Sequence, residues 1–190
     1  MAHAVGRHGR LDVVVNNAAA GTLHAGVVEE PIDSWEQTLN LNLFAALRMC
    51  RAAMPHLLVR GGAIVNVTSV NSRLPATEAA SYSGAKAALL NVGKALATEY
   101  VGRGVRVVTV SPGLTATPMW LGDTGVASQI AQGTGTTRDE VAESAAQDTP
   151  LKRFLTPEEV AVWIVLAASR VASAMTGTEI VVDGGLTPTI

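Results

Sequence analysis

The chain has 190 residues, 14 Lys and Arg against 16 Asp and Glu, and a net charge of −2 at pH 7. That balance excludes capture of nucleic acid through phosphate charge, and no basic run or aromatic-plus-basic stripe offers a surface for stacking bases. The length suits one domain with a substantial core, and the longest apolar helical run, Val160 to Ala168, is too short to span a bilayer.

Met1 to Gly9 reads as the tail of a helix, and Leu11 to Asn16 as a strand. Val13-Val14-Val15 is apolar on both faces, as a covered parallel strand should be. Pro31 to Ser34 starts a helix, with Ser34 and Gln37 as a capping box. The helix is expected to run to about Leu58, with Pro55 near its end and Gly61-Gly62 breaking it. Ile64 to Thr68 is the second strand. A loop from Val70 to Ala80 leads to a helix that carries Tyr82 and ends near Gly102-Arg103-Gly104. Val105 to Val110 is the third strand, stopped by Pro112-Gly113. Met119 to Pro150 is the least apolar region. It reads as a mobile segment (residues 119–150) with one helix, started by a Thr137/Glu140 capping box. Thr156-Pro157-Glu158-Glu159 starts a further helix, with Thr at the N-cap, Pro at the first position and Glu at the third. That helix reaches roughly Ser169, and Ile180 to Val182 is the last strand. Strands alternating with helices predict an α/β fold: a parallel sheet with helices on both faces, in one domain over 1–190.

Cys50 is the sole cysteine and cannot pair internally, which fits a reducing cytoplasm, the expected location together with the absence of an opening secretory signal. It falls in a helical pattern and reads as a small core residue. His3, His8, His24 and His56 lack metal-ligand spacing, although His24 is placed to approach a substrate.

Ser81-Tyr82-Ser83-Gly84-Ala85-Lys86 carries the chemistry. A Tyr and a Lys four apart on a helix share one face, one turn apart. A phenol is a poor base at neutral pH, and a nearby ammonium favours the phenolate and lowers its pKa. Ser69 falls just past the end of the second strand, on the sheet edge where α/β folds bind ligands. Its hydroxyl is suited to hold a carbonyl or alcohol oxygen. Each residue also has a plain structural reading: a loop serine bonded to backbone, a snorkelling Lys, a helix asparagine on a carbonyl.

In order and spacing, Ser69, Tyr82 and Lys86 resemble the catalytic set of the short-chain dehydrogenase/reductase family, classical type. Asn16-Asn17-Ala18-Ala19 resembles the family's Asn-Asn-Ala-Gly motif, and Asn42 in Leu41-Asn42-Leu43 resembles the asparagine that completes the tetrad. Ser111-Pro112-Gly113, with Thr117 beyond, resembles the loop that grips the nicotinamide. Thr176-Gly177 and Asp183-Gly184-Gly185 resemble the C-terminal strand signature. Two positions depart: Ala19 stands where glycine is usual, and Thr115 where an aliphatic residue is usual.

The resemblance implies a three-layer Rossmann-like fold and oxidoreduction between a carbonyl and a secondary alcohol, with NAD or NADP as cofactor. It implies Tyr82 as general acid or base, Lys86 on the phenol and the nicotinamide ribose, Ser69 on the substrate oxygen, and Asn42 in a water relay. It implies Pro112, Gly113, Thr115 and Thr117 on the nicotinamide side and Asn16 and Ala18 on the ribose and adenine side. Residues 119–150 would close over substrate, and the helices at 34–58 and 81–101 would form a homodimer or homotetramer.

The chain contains no Gly-x-Gly-x-x-Gly, and Gly133-x-Gly135 follows no strand. Family members carry three strands before the point matching Leu11, so the resemblance implies that the first strands are missing here. With them would go the phosphate loop and the residue that tells NAD from NADP. The preferred explanation is an upstream start or a longer parent. The Val13–Val15 strand then becomes an edge, and the chain alone is expected to be less stable and prone to associate. The rival to an enzyme is an inactive fragment or paralogue serving as an oligomerisation or interaction module. A sugar-nucleotide epimerase shares Tyr-x-x-x-Lys but carries a larger C-terminal domain and fits less well.

Overall fold

The short β-branched runs pair in parallel, within residues 1–188 that the computed structural model describes. They are β1 (Val13–Asn16), β2 (Gly62–Val67), β3 (Val105–Pro112) and β4 (Glu179–Val182), adjacent in that order. Val14 lies opposite Ile64, Ile64 opposite Val107, and Val110 opposite Ile180. A parallel ladder cannot be closed by a tight turn, so each strand returns through helices. These are α1 (Ala2–His8), α2 (Ile32–Leu39), α3 (Ala45–Leu57), α4 (Ala80–Tyr100), α5 (Pro118–Leu121), α6 (Val126–Thr134), α7 (Arg138–Gln147) and α8 (Pro157–Ala168).

Side-chain alternation along each strand sorts the core into two layers. On one face Val14, Ile64, Val105 and Val107 pack against Cys50, Ala53, Met54 and Leu57 of α3 and Ala97 of α4. On the other face Val65, Val108 and Val110 pack against Val160 and Ala167 of α8. The sheet is thus covered on both sides, as its unbroken apolar runs require. Val15 points away from α3 and is left 43% exposed on β1, which pairs on one side only. The edge anticipated for Val13–Val15 is therefore present among the described residues.

The Thr156 box forms as its sequence predicts. Thr156 Oγ1 accepts from Glu159 N at 3.2 Å, and a Glu159 carboxylate oxygen accepts from Thr156 N at 2.8 Å. The Thr137/Glu140 box forms likewise at the start of α7.

Two expectations are corrected. Ser34 does not cap a helix: α2 begins at Ile32 with Pro31 at the N-cap, and the Pro31 carbonyl accepts from Ser34 N and Trp35 N. The fixed φ of proline presets the extended entry, so Ser34 falls inside the first turn and its hydroxyl turns to Glu30. Residues 119–150 hold three helices, not one, because Pro118 starts α5 and Gly125 and Gly135 delimit α6. The long helix that reaches Leu57 is also interrupted, by a π-helical turn at Asn40–Phe44.

Ile64 is completely buried at the centre of the first layer. Ile64→Ala is expected to cost about 2–5 kcal/mol, read as a lower urea midpoint with unchanged slope.

Candidate active site

All the strands run the same way, so the loops after β1, β2, β3 and β4 gather on one edge of the sheet. Ser69 follows β2, the 112–117 loop follows β3, and Asn17 to Gly21 follow β1. Helix α4 then brings Tyr82 and Lys86 to the same edge, packed against β3 and against the turn at Val70–Ser72.

Lys86 is 2% exposed. Its Nζ donates to the Val67 carbonyl at 2.9 Å and lies 5.5 Å from the Tyr82 ring centroid. Burial penalises the ammonium and brings its pKa down to about 8. An ammonium has three protons to give, and one bond leaves donors free for a further acceptor.

Tyr82 is half-buried, and the expected fall in its pKa is reversed. Burial pushes the phenol up, while a hydrogen bond with Ser69 pulls it part of the way back. Desolvation is the largest influence on the phenol, and the Lys86 ammonium lies 5.5 Å from the ring centroid. The Ser69 hydroxyl accepts from Asn71 N at 3.1 Å and so helps fix the turn after β2. That bond uses a lone pair and leaves the hydroxyl proton free. The plain reading of Ser69 as a loop serine and the chemical one therefore coexist.

Asn42 sits in the π-helical turn that packs on α4, where Leu43 meets Leu89. A π turn widens the helix and leaves carbonyls off register, a geometry frequent at functional sites. Asn42 Nδ2 donates to Thr38 O at 2.9 Å and to Ala20 O at 2.8 Å, which ties the helix to the loop after β1. Its Oδ1 is buried with no partner among the described residues.

The residues expected near a cofactor divide. Asn16 turns inward: its Nδ2 donates to Asn66 Oδ1 at 2.9 Å and approaches Cys50 Sγ at 3.4 Å. Its side chain braces the ends of β1 and β2. Cys50 is buried beneath it, as a core residue, and burial raises the thiol pKa. Ala18 is exposed on the following loop. Gly113 N donates to Val182 O at 2.9 Å, and a Cβ at Gly113 would lie 2.8 Å from Asp183 Cα, so the loop crosses β4 where a larger residue would not fit. Thr115 Oγ1 donates to Gly113 O at 3.0 Å, which gives its hydroxyl a place in a position where an aliphatic residue is usual. Thr117 occupies the N-cap of α5 without a side-chain cap bond. Pro112, half-buried, ends β3.

Other features surround this edge, most of them not singled out in the sequence. The Gly21 backbone lies on the Tyr82 ring, and a Cβ there would stand 3.3 Å from Tyr82 Cδ2. Leu23 N donates to Gln129 Oε1 of α6 at 3.0 Å, joining the loop after β1 to the 119–150 region. Glu30 is buried beside Ser81; the one signal for it in the sequence was an acidic residue directly before Pro31. His24 turns to Thr22 and Ser34, each at 3.1 Å from its Nε2. Two open clefts of about 360 and 440 Å³ lie on the 119–150 region around Arg138 and Asp139, and none of Ser69, Tyr82 or Lys86 lines them. Among the described residues no helix is long and apolar enough to cross a membrane.

Comparison with known proteins gives the family of the chain. Residues 1–187 match the family described as Enoyl-(Acyl carrier protein) reductase. The chain is 35% identical over 183 residues to the 3-oxoacyl-(acyl carrier protein) reductase FabG of Thermotoga maritima, covering 96% of this chain and 68% of that protein. It is 34% identical over 184 residues to the D-threitol dehydrogenase of Mycolicibacterium smegmatis, covering 94% and 64%. The ligand-free aldohexose dehydrogenase of Thermoplasma acidophilum superposes with a TM-score of 0.88 at 27% identity, covering 99% of this chain and 72% of that one. The chain thus spans about two thirds of the length of the curated relatives it matches. By its sheet, its sheet-edge residues and these likenesses, the chain belongs to the short-chain dehydrogenase/reductase family of oxidoreductases.

Proposed function

We propose that this chain carries the proton-transfer site of an oxidoreductase that interconverts a carbonyl and a secondary alcohol with NAD or NADP. The observation that supports it most is the head of α4, where Tyr82 and the buried Lys86 ammonium one turn away reach the sheet edge that carries Ser69. Relatives named for a 3-oxoacyl group, a polyol and an aldohexose share chemistry at a carbon–oxygen centre. That common chemistry supports the reaction class without selecting a substrate.

The residues present fit a nicotinamide cofactor. Lys86 is a buried ammonium with donors to spare, which a ribose diol satisfies. The backbone of Pro112 and Gly113 and the uncapped hydroxyl of Thr117 face the same edge and suit the nicotinamide amide. Ala18 is exposed on the loop after β1 for the adenine side, with Asn16 setting the strand end beneath. When bound, the cofactor exchanges a hydride with the carbonyl carbon.

The chain's own part is the proton and the oxygen. Tyr82 gives its proton to the substrate oxygen in reduction and takes it back in oxidation. Ser69 donates to that oxygen as charge develops on it. The Lys86 ammonium, buried one turn away, favours the phenolate that remains. Asn42 Oδ1, unpaired and buried, suits a water that passes the proton onward from Lys86. Helices α5 to α7 form a lid over the substrate, tethered at Leu23–Gln129. Leu41, Phe44 and Met49 are each 40–46% exposed on the long helix and supply the apolar face of a homodimer or homotetramer.

Titration of the chain with NADH and NADPH, followed by fluorescence and by turnover of a carbonyl panel, tests the reading. Binding of neither, with no turnover, would reject it and favour an interaction module. Tyr82→Phe is expected to lower kcat by about 10²–10⁴-fold with cofactor binding retained; retained turnover removes Tyr82 from its role. The Lys86 charge has a stability signature. Its folded pKa is about 8, below the ordinary value of 10.5, so the unfolded chain holds the proton more tightly. The buried charge therefore destabilises the cofactor-free fold below pH 8, and the penalty is relieved as pH rises from about 8 to 10.5. Lys86→Met should be more stable than wild type at pH 7 by about 3 kcal/mol, at 1.36 kcal/mol per pH unit between about 8 and 10.5, and should lack that rise with pH. Urea midpoints at pH 7 and pH 10 measure both. Phe44→Glu is expected to shift the sedimentation of the chain toward the monomer.

A further inference from the structure

The Glu30 side chain is 1% exposed, and among the described residues no Lys or Arg lies within ion-pair reach of it. Donors from three segments surround it instead. Ser81 N gives a bond of 3.1 Å, Ser81 Oγ gives a second, and Ser34 Oγ gives a third at 2.9 Å. His24 Nε2 stands 3.7 Å away. Burial alone would push this carboxyl up; the bonds from Ser81 and Ser34 outweigh burial and hold it below its ordinary range.

The place of those bonds matters. Helix α4 begins at Ala80 with Ala79 at the N-cap, and no side chain of its own caps it. Its first amides are orphaned unless something distant takes them. Glu30 takes that of Ser81, from 51 residues away in sequence, and anions are favoured at that end of a helix. Tyr82 is the next residue. The loop that carries His24 also carries Gly21, whose backbone rests on the Tyr82 ring, and His24 N donates to Glu78 O at 2.9 Å just before α4. The carboxylate therefore bonds the helix end on one side of Tyr82 and faces the loop on the other.

We propose that Glu30 is a positioning residue for Tyr82: its buried carboxylate clamps the N-terminus of α4 to Ser34 of α2, which in turn bonds His24 of the 21–24 loop, and so fixes where the phenol points. The proposal rests on the reading of Tyr82 as the proton-transfer group. Displacement of a reacting group by an ångström costs on the order of a hundredfold in rate, so loosening this end of α4 should reach the chemistry. Lys86 lies a turn further on and is held by Val67, so cofactor contacts at Lys86 should survive.

Glu30→Ala is expected to lower kcat about tenfold to a hundredfold with the cofactor dissociation constant unchanged. Glu30→Gln should restore most of the turnover, because its amide oxygen still accepts from Ser81 N and its amide donors can turn to the hydroxyl oxygens. Amide hydrogen exchange supplies the readout that does not depend on activity. Protection should fall at Ser81 to Gly84 in Glu30→Ala and stay at Ile64 and Val65. Wild-type kcat in a folded Glu30→Ala would overturn the proposal, as would protection lost equally across the sheet. Should Glu30→Ala fail to fold, Ser81→Ala carries the test, since it removes the hydroxyl bond alone. A smaller fall in kcat with sheet protection intact supports the clamp, and no fall overturns it. Should the wild-type chain turn over no carbonyl, the functional reading fails separately. Exchange at Ser81 then decides the clamp: protection retained in Glu30→Ala overturns it, and protection lost there alone supports it.

Discussion

A positive charge buried at the edge of a parallel sheet is the constraint around which the site is built. Lys86 reaches through α4 to a single carbonyl, that of Val67, and has no carboxylate partner among the described residues. An unpaired buried ammonium is costly, and its lowered pKa is the measure of that cost. A fold selected for stability alone would place an apolar side chain there. The charge is intelligible as a preformed half of an interaction that a hydroxyl-bearing ligand completes.

The surroundings of Lys86 hold it in place without neutralising it. The first core layer, from Val14 to Val107, seats α3 and α4 against the strands. The π-helical turn lets Asn42 bond the loop after β1 and still leave an oxygen unpaired. Gly21 closes on the Tyr82 ring, and Glu30 caps the helix that carries it. A second network lies beneath the loops after β2 and β3, where Thr68 Oγ1 and Ser111 Oγ are 2.6 Å apart and Ser111 also bonds Glu179. Glu179 is in turn held by Arg73. These bonds satisfy polar groups that the sheet edge would otherwise bury unpaired.

Burial at Tyr82 favours one half of the proposed chemistry and opposes the other. In the chain by itself burial raises the phenol's pKa above its ordinary value. A general acid needs the protonated state, and a general base needs the reverse. The reaction proposed here uses the same oxygen in both roles, so the balance must depend on what fills the space above Lys86 and Ser69.

Much of the fold was legible in the sequence. Short β-branched runs, alternating with helical patterns and bounded by Gly and Pro, specify a parallel sheet because few other arrangements bury such runs on both faces. The Thr156 and Thr137 boxes were readable because a capping box is a local interaction, complete within four residues. Ser34 misled because it has the right spacing to Gln37 while Pro31, three residues earlier, had already fixed the helix entry. The three helices of 119–150 were underestimated because short helices that lean on neighbours show little periodicity of their own. At the site, Ser69, Asn42, Tyr82 and Lys86 could be named from the sequence through their spacing and family likeness, since the order of motifs survives in one dimension. Asn16 was named for a ligand and its brace to Asn66 went unread, and Glu30 was passed over although it meets Ser81. Sequence alone determined the fold class and named the candidate chemical groups. Only the tertiary structure decided their electrostatic state and their supports, because burial, the direction of a side chain and contacts between residues fifty positions apart come into being when the chain packs.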